Sequence, residues 1–187
     1  DLDAFLEDSP TENSLKRRLS RLSESQKISV DFEAVVTHEL SDTINQLSSQ
    51  SSCDWLVMGW DGRPTTGIFI TNPIGWLLAN INSNLALYRD NGVRYVGKVL
   101  LALRPGRKDK NFISIAKNVC DYFGGSLTLL HVLPENSSTT ETVKHRSEEK
   151  LKQSGVDAEV LILKSADPVE TISETSAGYD LLILGTP

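Results

Sequence analysis

Two stretches of this chain share one pattern: an Asp, then an unbroken apolar run, then a glycine. Residues 53–62 read CDWLVMGWDG and residues 179–187 read YDLLILGTP, which places Asp54 and Asp180 126 residues apart. An apolar run of this length between turn formers predicts a strand buried on both faces, the usual state of a central parallel strand. Gly59 and Gly185 then let the backbone turn sharply at the carboxyl end, where open α/β sheets hold ligands. The separation of the copies approximates one domain length, so the pattern predicts two related α/β units.

Ahead of the first copy, Ser9 as cap and Pro10 in the first turn predict a helix to about Ser25. Leu15, Leu19 and Leu22 fall on one face of it, and Lys16, Arg17, Arg18 and Arg21 cover much of the rest. A solvated outer face is the simpler reading of such a charged surface than attachment to an anionic membrane. Residues 27–38 predict a strand centred on FEAVV, and Leu40, Ile44 and Leu47 mark a helix that ends in the Ser-rich residues 48–52. After the strand at 55–58 and a loop of Gly, Pro and Thr, Asn72 and Pro73 open another helix. Residues 84–89 predict a short strand, and Asp90-Asn91-Gly92 a turn that separates the units.

The second unit begins with a strand at 98–103, broken by Arg104-Pro105-Gly106. A helix follows at 110–123, with Phe112, Ile115, Ala116, Val119 and Phe123 on its buried side and Gly124 as its stop. Strands are predicted at 127–133, 158–163 and 181–184. Between them lie a polar, mobile loop at 135–142, a charged helix at 143–153, and a short helix capped by Asp167-Pro168. Strict alternation of strand and helix predicts an α/β fold with doubly wound parallel sheets. The units are expected at residues 1–92 and 93–187. By strand count the first lacks its first strand, helix and second strand, and the second its last helix and strand. Because the first strand of such a sheet is central, the chain is expected to be an excerpt of a longer polypeptide.

Hydrophobic residues make up 39% and charged residues 24%, enough apolar material for a sizeable core. A net charge of −6 argues against nucleic acid as a partner. The two cysteines, Cys53 and Cys120, lie in apolar segments and read as core thiols of a reducing compartment. The most apolar window, 67–88, carries Asn72, Pro73, Asn80, Asn82 and Asn84, too polar for a lipid span.

The phrase VLLALRPGRKDKNFISIAKNVCDYFGGSLTLLHVLPE at 99–135 resembles the first strand, helix and second strand of the universal stress protein fold. YDLLILGTP resembles its fourth strand and SNLALYRDNGV, at 83–93, its fifth. The Arg-Pro-Gly ending of the first strand and the NLALYRDNGV string resemble a narrower branch: the tandem stress-protein-like domains on the cytoplasmic C-terminus of amino acid–polyamine–cation superfamily transporters. DWLVMGW and TTGIFITNPIGWLLANINSNLALYR lean toward the cation–chloride cotransporter type over the amino acid permease type. The resemblance implies a non-enzymatic regulatory domain at the cytoplasmic face of the membrane. Its partners would be a second copy, in a homodimer, and the transmembrane domain of the same polypeptide. The other class of function it implies is a soluble tandem stress protein that binds a nucleotide or another small ligand.

ATP-binding stress proteins carry a phosphate loop of Gly, two residues, Gly, nine residues, Gly, then Ser or Thr. Gly59 and Gly62 fit its first positions, but Asn72 and Pro73 stand where the last Gly and the hydroxyl belong. Proline has no backbone N–H for a phosphate. Arg104 stands where those relatives place an Asp against the adenosine part, and a guanidinium accepts no hydrogen bond. The nucleotide site therefore reads as degenerate, with no cofactor expected. His38, His131 and His145 are far apart, His131 reads as a packed strand residue, and no metal-ligand spacing or nucleophile motif occurs. Trp55, Trp60 and Trp76 flank the first crevice, where core or interface packing is the default reading.

Overall fold

The computed structural model describes residues 10–59, 73–81, 83–104 and 109–185. It divides into two units, Asp1–Arg89 and Asp90–Pro187. At the division, Gly92 takes φ +81°, which a side chain would strain, and its N–H donates to Asp90 Oδ1 at 2.7 Å.

The second unit contains β3 (Lys98–Ala102), α4 (Asp109–Phe123), β4 (Ser126–Leu133), α5 (Thr140–Gln153), β5 (Ala158–Lys164), α6 (Pro168–Ser176) and β6 (Leu181–Leu184). All its strand pairs are parallel, in the spatial order β5-β4-β3-β6. The first strand in sequence is thus flanked on both sides, and four of its five residues are buried. One face packs Val99, Leu101, Leu127 and Leu129 against Ile113, Ala116 and Cys120 of α4 and Leu151 of α5. The other packs Leu100, Ala102 and Leu130 against Ile172 of α6 and Tyr179. Helices cover both faces, as a doubly wound sheet requires, and each fully buried Leu contributes about 1.5–3 kcal/mol of apolar transfer. Gly124, at φ +68°, ends α4, and the next N–H, of Gly125, returns to Cys120 O at 2.9 Å.

The first unit contains α1 (Pro10–Gln26), α2 (Leu40–Gln50), β1 (Trp55–Gly59), α3 (Pro73–Asn80) and β2 (Asn84–Tyr88). β1 and β2 form a parallel two-stranded sheet with Trp55 opposite Asn84 and Gly59 opposite Tyr88.

Three expectations need correction. Residues 27–38 form no strand: Ile28, Val35 and Val36 are exposed, and among the described residues no neighbouring strand supplies a ladder. The repeated strand is not buried on both faces. β1 alternates exposed and half-buried positions, and β6, which pairs only with β3 among the described residues, is half-buried except for the exposed Leu184. The strand with the central environment is β3. Finally, α5 begins at Thr140, three residues before the predicted start, so part of the expected loop is helical. Ser9, the expected cap of α1, lies outside the described residues, as do Trp60, Gly62 and Asn72.

Candidate functional site

At the carboxyl ends of three adjacent strands the second unit opens a cleft of about 740 Å³. Arg104 enters it two residues beyond β3, Val132 and Leu133 at the end of β4, and Ser165 and Ala166 just after β5. The far wall is the start of α5, with Thr139 and Val143. This is the crevice in which open parallel sheets bind ligands, because the loops there diverge to either face of the sheet.

Each wall is held by the local sequence. Ser165 N–H donates to Leu133 O at 2.9 Å, keeping the β4 and β5 ends in step. Asp167 then caps α6, its Oδ1 accepting from Val169 N and Glu170 N, each at 3.0 Å. Behind the cleft lies His131, buried on β4. Its Nδ1 is 2.7 Å from Leu103 O and its Nε2 2.9 Å from Ser147 Oγ on α5. A carbonyl only accepts, so Nδ1 carries a proton at that contact, and Nε2 shares a hydrogen bond with the serine hydroxyl. His131 thereby ties α5 to the residue before Arg104. Just after β6, a Cβ on Gly185 would stand 2.4 Å from Leu103 Cδ2, so the end of that leucine side chain would have to shift.

The cleft is mixed in character. Val132, Leu133, Val143 and Pro168 give apolar surface, while Arg104 and Glu135 bring opposite charges. Neither charge belongs to an ion pair among the described residues. Thr139 occupies the cap position of α5 without a side-chain capping bond; its hydroxyl lies 2.9 Å from Ser137 Oγ. Nothing in this set is a nucleophile paired with a base. Among the described residues no group of three or more His, Cys, Asp or Glu side chains could hold a metal ion.

The residues singled out from the sequence are not brought together. Arg104 lies in the second unit's cleft, whereas Gly59 ends β1 in the first unit, where a Cβ would meet nothing within 4 Å. Pro73 opens α3, and Gly62 and Asn72 lie outside the described residues. The walls of the cleft from Pro134 to Thr139 and from Ser165 to Pro168 were not singled out. Their signal was present in Pro134 and Asp167-Pro168, punctuation at the carboxyl ends of two predicted strands. Cys53 also differs from its reading as a core thiol: it is half-buried, with Sγ 3.4 Å from Ser83 Oγ and 3.6 Å from Ser48 Oγ.

No protein-family model matches the chain, and no curated protein matches it significantly. Solved structures do. A universal stress protein from Archaeoglobus fulgidus aligns over 94% of this chain and 65% of its own length, with TM-score 0.67 and 16% identity. A provisionally assigned universal stress protein from Pseudomonas aeruginosa UCBPP-PA14 aligns over 94% and 68%, with TM-score 0.64 and 18% identity. A functionally unknown protein from Pseudomonas aeruginosa PAO1 gives 94% and 67%, TM-score 0.63 and 17% identity. The chain spans about two thirds of the length of each. At such identities the likeness is one of fold, and the fold is universal-stress-protein-like. No described helix is long and apolar enough to cross a membrane.

Proposed function

We propose that this protein is a stress-protein-like binding module, not an enzyme, whose second unit holds a small ligand at the carboxyl ends of β3, β4 and β5. The observation that carries this reading is the cleft itself, with apolar walls and the exposed Arg104 in its lining, a cation in no ion pair among the described residues. Arg104 offers five donors and no acceptor, which favours an anionic or acceptor-rich group there and disfavours the contact that an Asp would make. The geometry therefore suits ATP poorly and leaves room for a smaller ligand. Titration calorimetry with magnesium-ATP, AMP and a panel of small anions tests it. Binding that is lost in Arg104→Ala and in the cleft-filling Ala166→Trp is the expected result. No binding by any probe, or binding indifferent to both changes, overturns it.

Attachment to the cytoplasmic end of a transporter remains a second proposal, resting on the NLALYRDNGV and Arg-Pro-Gly strings alone. The structural likenesses to two universal stress proteins favour the ligand-binding reading over it. Sequence upstream of Asp1 decides between them: about a dozen apolar spans there would favour the transporter.

A further inference from the structure

Among the described residues that line the second unit's cleft there is one cation and one anion, Arg104 and Glu135, and they do not meet. Arg104 follows Leu103, whose N–H donates to Leu130 O at 3.1 Å and whose carbonyl lies 2.7 Å from His131 Nδ1. Glu135 stands at the corner of a turn closed by Ser137 N–H on Pro134 O at 2.9 Å, with Asn136 beside it. The two charges thus come from the ends of neighbouring strands, β3 and β4, and each follows backbone that is anchored.

The polar groups of the cleft divide into two sets. Its hydroxyls are engaged within the chain: Thr139 Oγ1 lies 2.9 Å from Ser137 Oγ, and Ser165 Oγ donates to Asp167 O at 3.1 Å. The side chains of Arg104, Glu135 and Asn136 make no hydrogen bond or ion pair among the described residues. Opposite charges that line one cleft without reaching salt-bridge distance leave both signs to be answered by whatever enters. A polyanion answers only Arg104 and meets a like charge in Glu135, and an amine has the converse fault. Val132, Leu133, Val143 and Pro168 add apolar surface to the same cleft.

We propose that this cleft, taken as the ligand site proposed above, selects a small zwitterion: a primary ammonium and a carboxylate on an apolar body. That is the chemistry of a free aliphatic amino acid, or of the two ends of a short apolar peptide. The carboxylate takes the planar fork of Arg104, whose parallel N–H donors match its two oxygens. The ammonium has three donors and no acceptor, and it goes to the Glu135 carboxylate, with the uncommitted Asn136 amide next to it in the turn. A cleft of about 740 Å³ has space for a dipeptide as well as for a single amino acid. Because both charged residues are exposed, they contribute selection more than strength, and burial of the apolar body supplies most of the affinity.

Titration calorimetry on the full chain compares L-leucine and leucyl-leucine with three probes that each lack one part. Isocaproate lacks the ammonium, isoamylamine the carboxylate, and glycine the apolar body. One of the two apolar zwitterions should bind about tenfold more tightly than each of the three, and the tighter one identifies the source. Glu135→Gln should weaken that zwitterion about tenfold and leave isocaproate no weaker, while Arg104→Gln should weaken it equally and spare isoamylamine. Both positions are exposed, so the variants should fold, and unchanged urea unfolding checks that they do. Isocaproate or AMP bound as tightly as either zwitterion, in an Arg104-dependent way, would overturn the zwitterion and leave the ligand cleft standing. Zwitterion binding indifferent to Glu135→Gln would overturn it too. No binding by any probe, AMP and small anions included, would overturn both the zwitterion and the cleft.

Discussion

His131 Nε2 and Ser147 Oγ lie 2.9 Å apart, both side chains buried, and the contact joins the middle of β4 to the second turn of α5. With Nδ1 on Leu103 O, the ring spans three elements around the base of the cleft. Removing the hydroxyl leaves a buried ring with one fewer partner, which costs about 1–3 kcal/mol where the group is desolvated. Ser147→Ala should therefore lower the stability of the second unit by that amount in urea unfolding. Hydrogen exchange at β4 assigns the loss to this unit, and an unchanged β4 exchange rate would refute the role given to the pair.

The elements of the second unit were legible because its signals agree with one another. Continuous apolar runs, Gly124, and the Asp167-Pro168 cap all specify the same α/β alternation, and each strand fell within two residues of its expected ends. The first unit was less legible for a physical reason. FEAVV at 32–36 has strand composition, but a strand exists only when a neighbour supplies its ladder, and composition carries no information on the neighbour. The same limit explains β1 and β6: an apolar run suits a central strand, and whether both its edges and faces are covered depends on other segments. The cleft was half legible. Its location follows from strand polarity, and Arg104 was singled out, but the α5 wall emerged only from the fold.

Gly125 has a requirement that Gly178 lacks. A Cβ on Gly125 would stand 2.7 Å from Val96 O and 3.0 Å from Gly97 O, both backbone atoms that cannot swing away. Overpacking of this kind costs about 1–3 kcal/mol. At Gly178 the nearest atom would be 3.9 Å away. Gly125→Ala should thus lower the unfolding midpoint clearly, while Gly178→Ala should be neutral or slightly stabilising through the unfolded chain. Thermal and urea unfolding of the two variants, side by side, provide the check.

Asp167 holds the N-terminus of α6 through two backbone N–H groups. Asp167→Ala removes the one oxygen that accepts from both N–H groups, and loss of such a cap costs about 0.5–2 kcal/mol. Because Pro168 follows and lines the cleft, the variant should also weaken any ligand found there. Faster exchange confined to α6, together with the weaker binding, is the expected result. An unaltered α6 would contradict it.

A two-fold homodimer is the assembly we propose for this chain, and part of its motive lies in the apolar surface of β2. Leu87 and Tyr88 are exposed there, and the outer edge of the strand is unpaired among the described residues. An edge strand can pair with its own copy antiparallel about a two-fold axis. Sedimentation should give a dimer whose fraction rises with concentration and falls in Tyr88→Asp. A monomer at every concentration would defeat the dimer, and a dimer indifferent to Tyr88→Asp would move it to another surface.

The two thiols should differ sharply in reactivity. Hydrogen bonds with Ser83 first and Ser48 second hold the Cys53 thiol below the ordinary range, since both hydroxyls can turn their protons toward a thiolate. Burial pushes the Cys120 thiol up, and the neighbouring Asp121 carboxylate adds to the shift. The sign follows directly: at any pH below the ordinary thiol range, the folded protein carries more thiolate at Cys53 and less at Cys120 than the unfolded chain. Only the thiolate reacts with an alkylating agent, and Cys120 is in addition 8% exposed. Iodoacetamide at neutral pH should therefore label Cys53 first, with Cys120 modified only as the second unit unfolds. Ser83→Ala should slow labelling at Cys53 without changing Cys120. Mass spectrometry of the digested protein reads both sites, and equal rates at the two cysteines in the native state would refute the assignment.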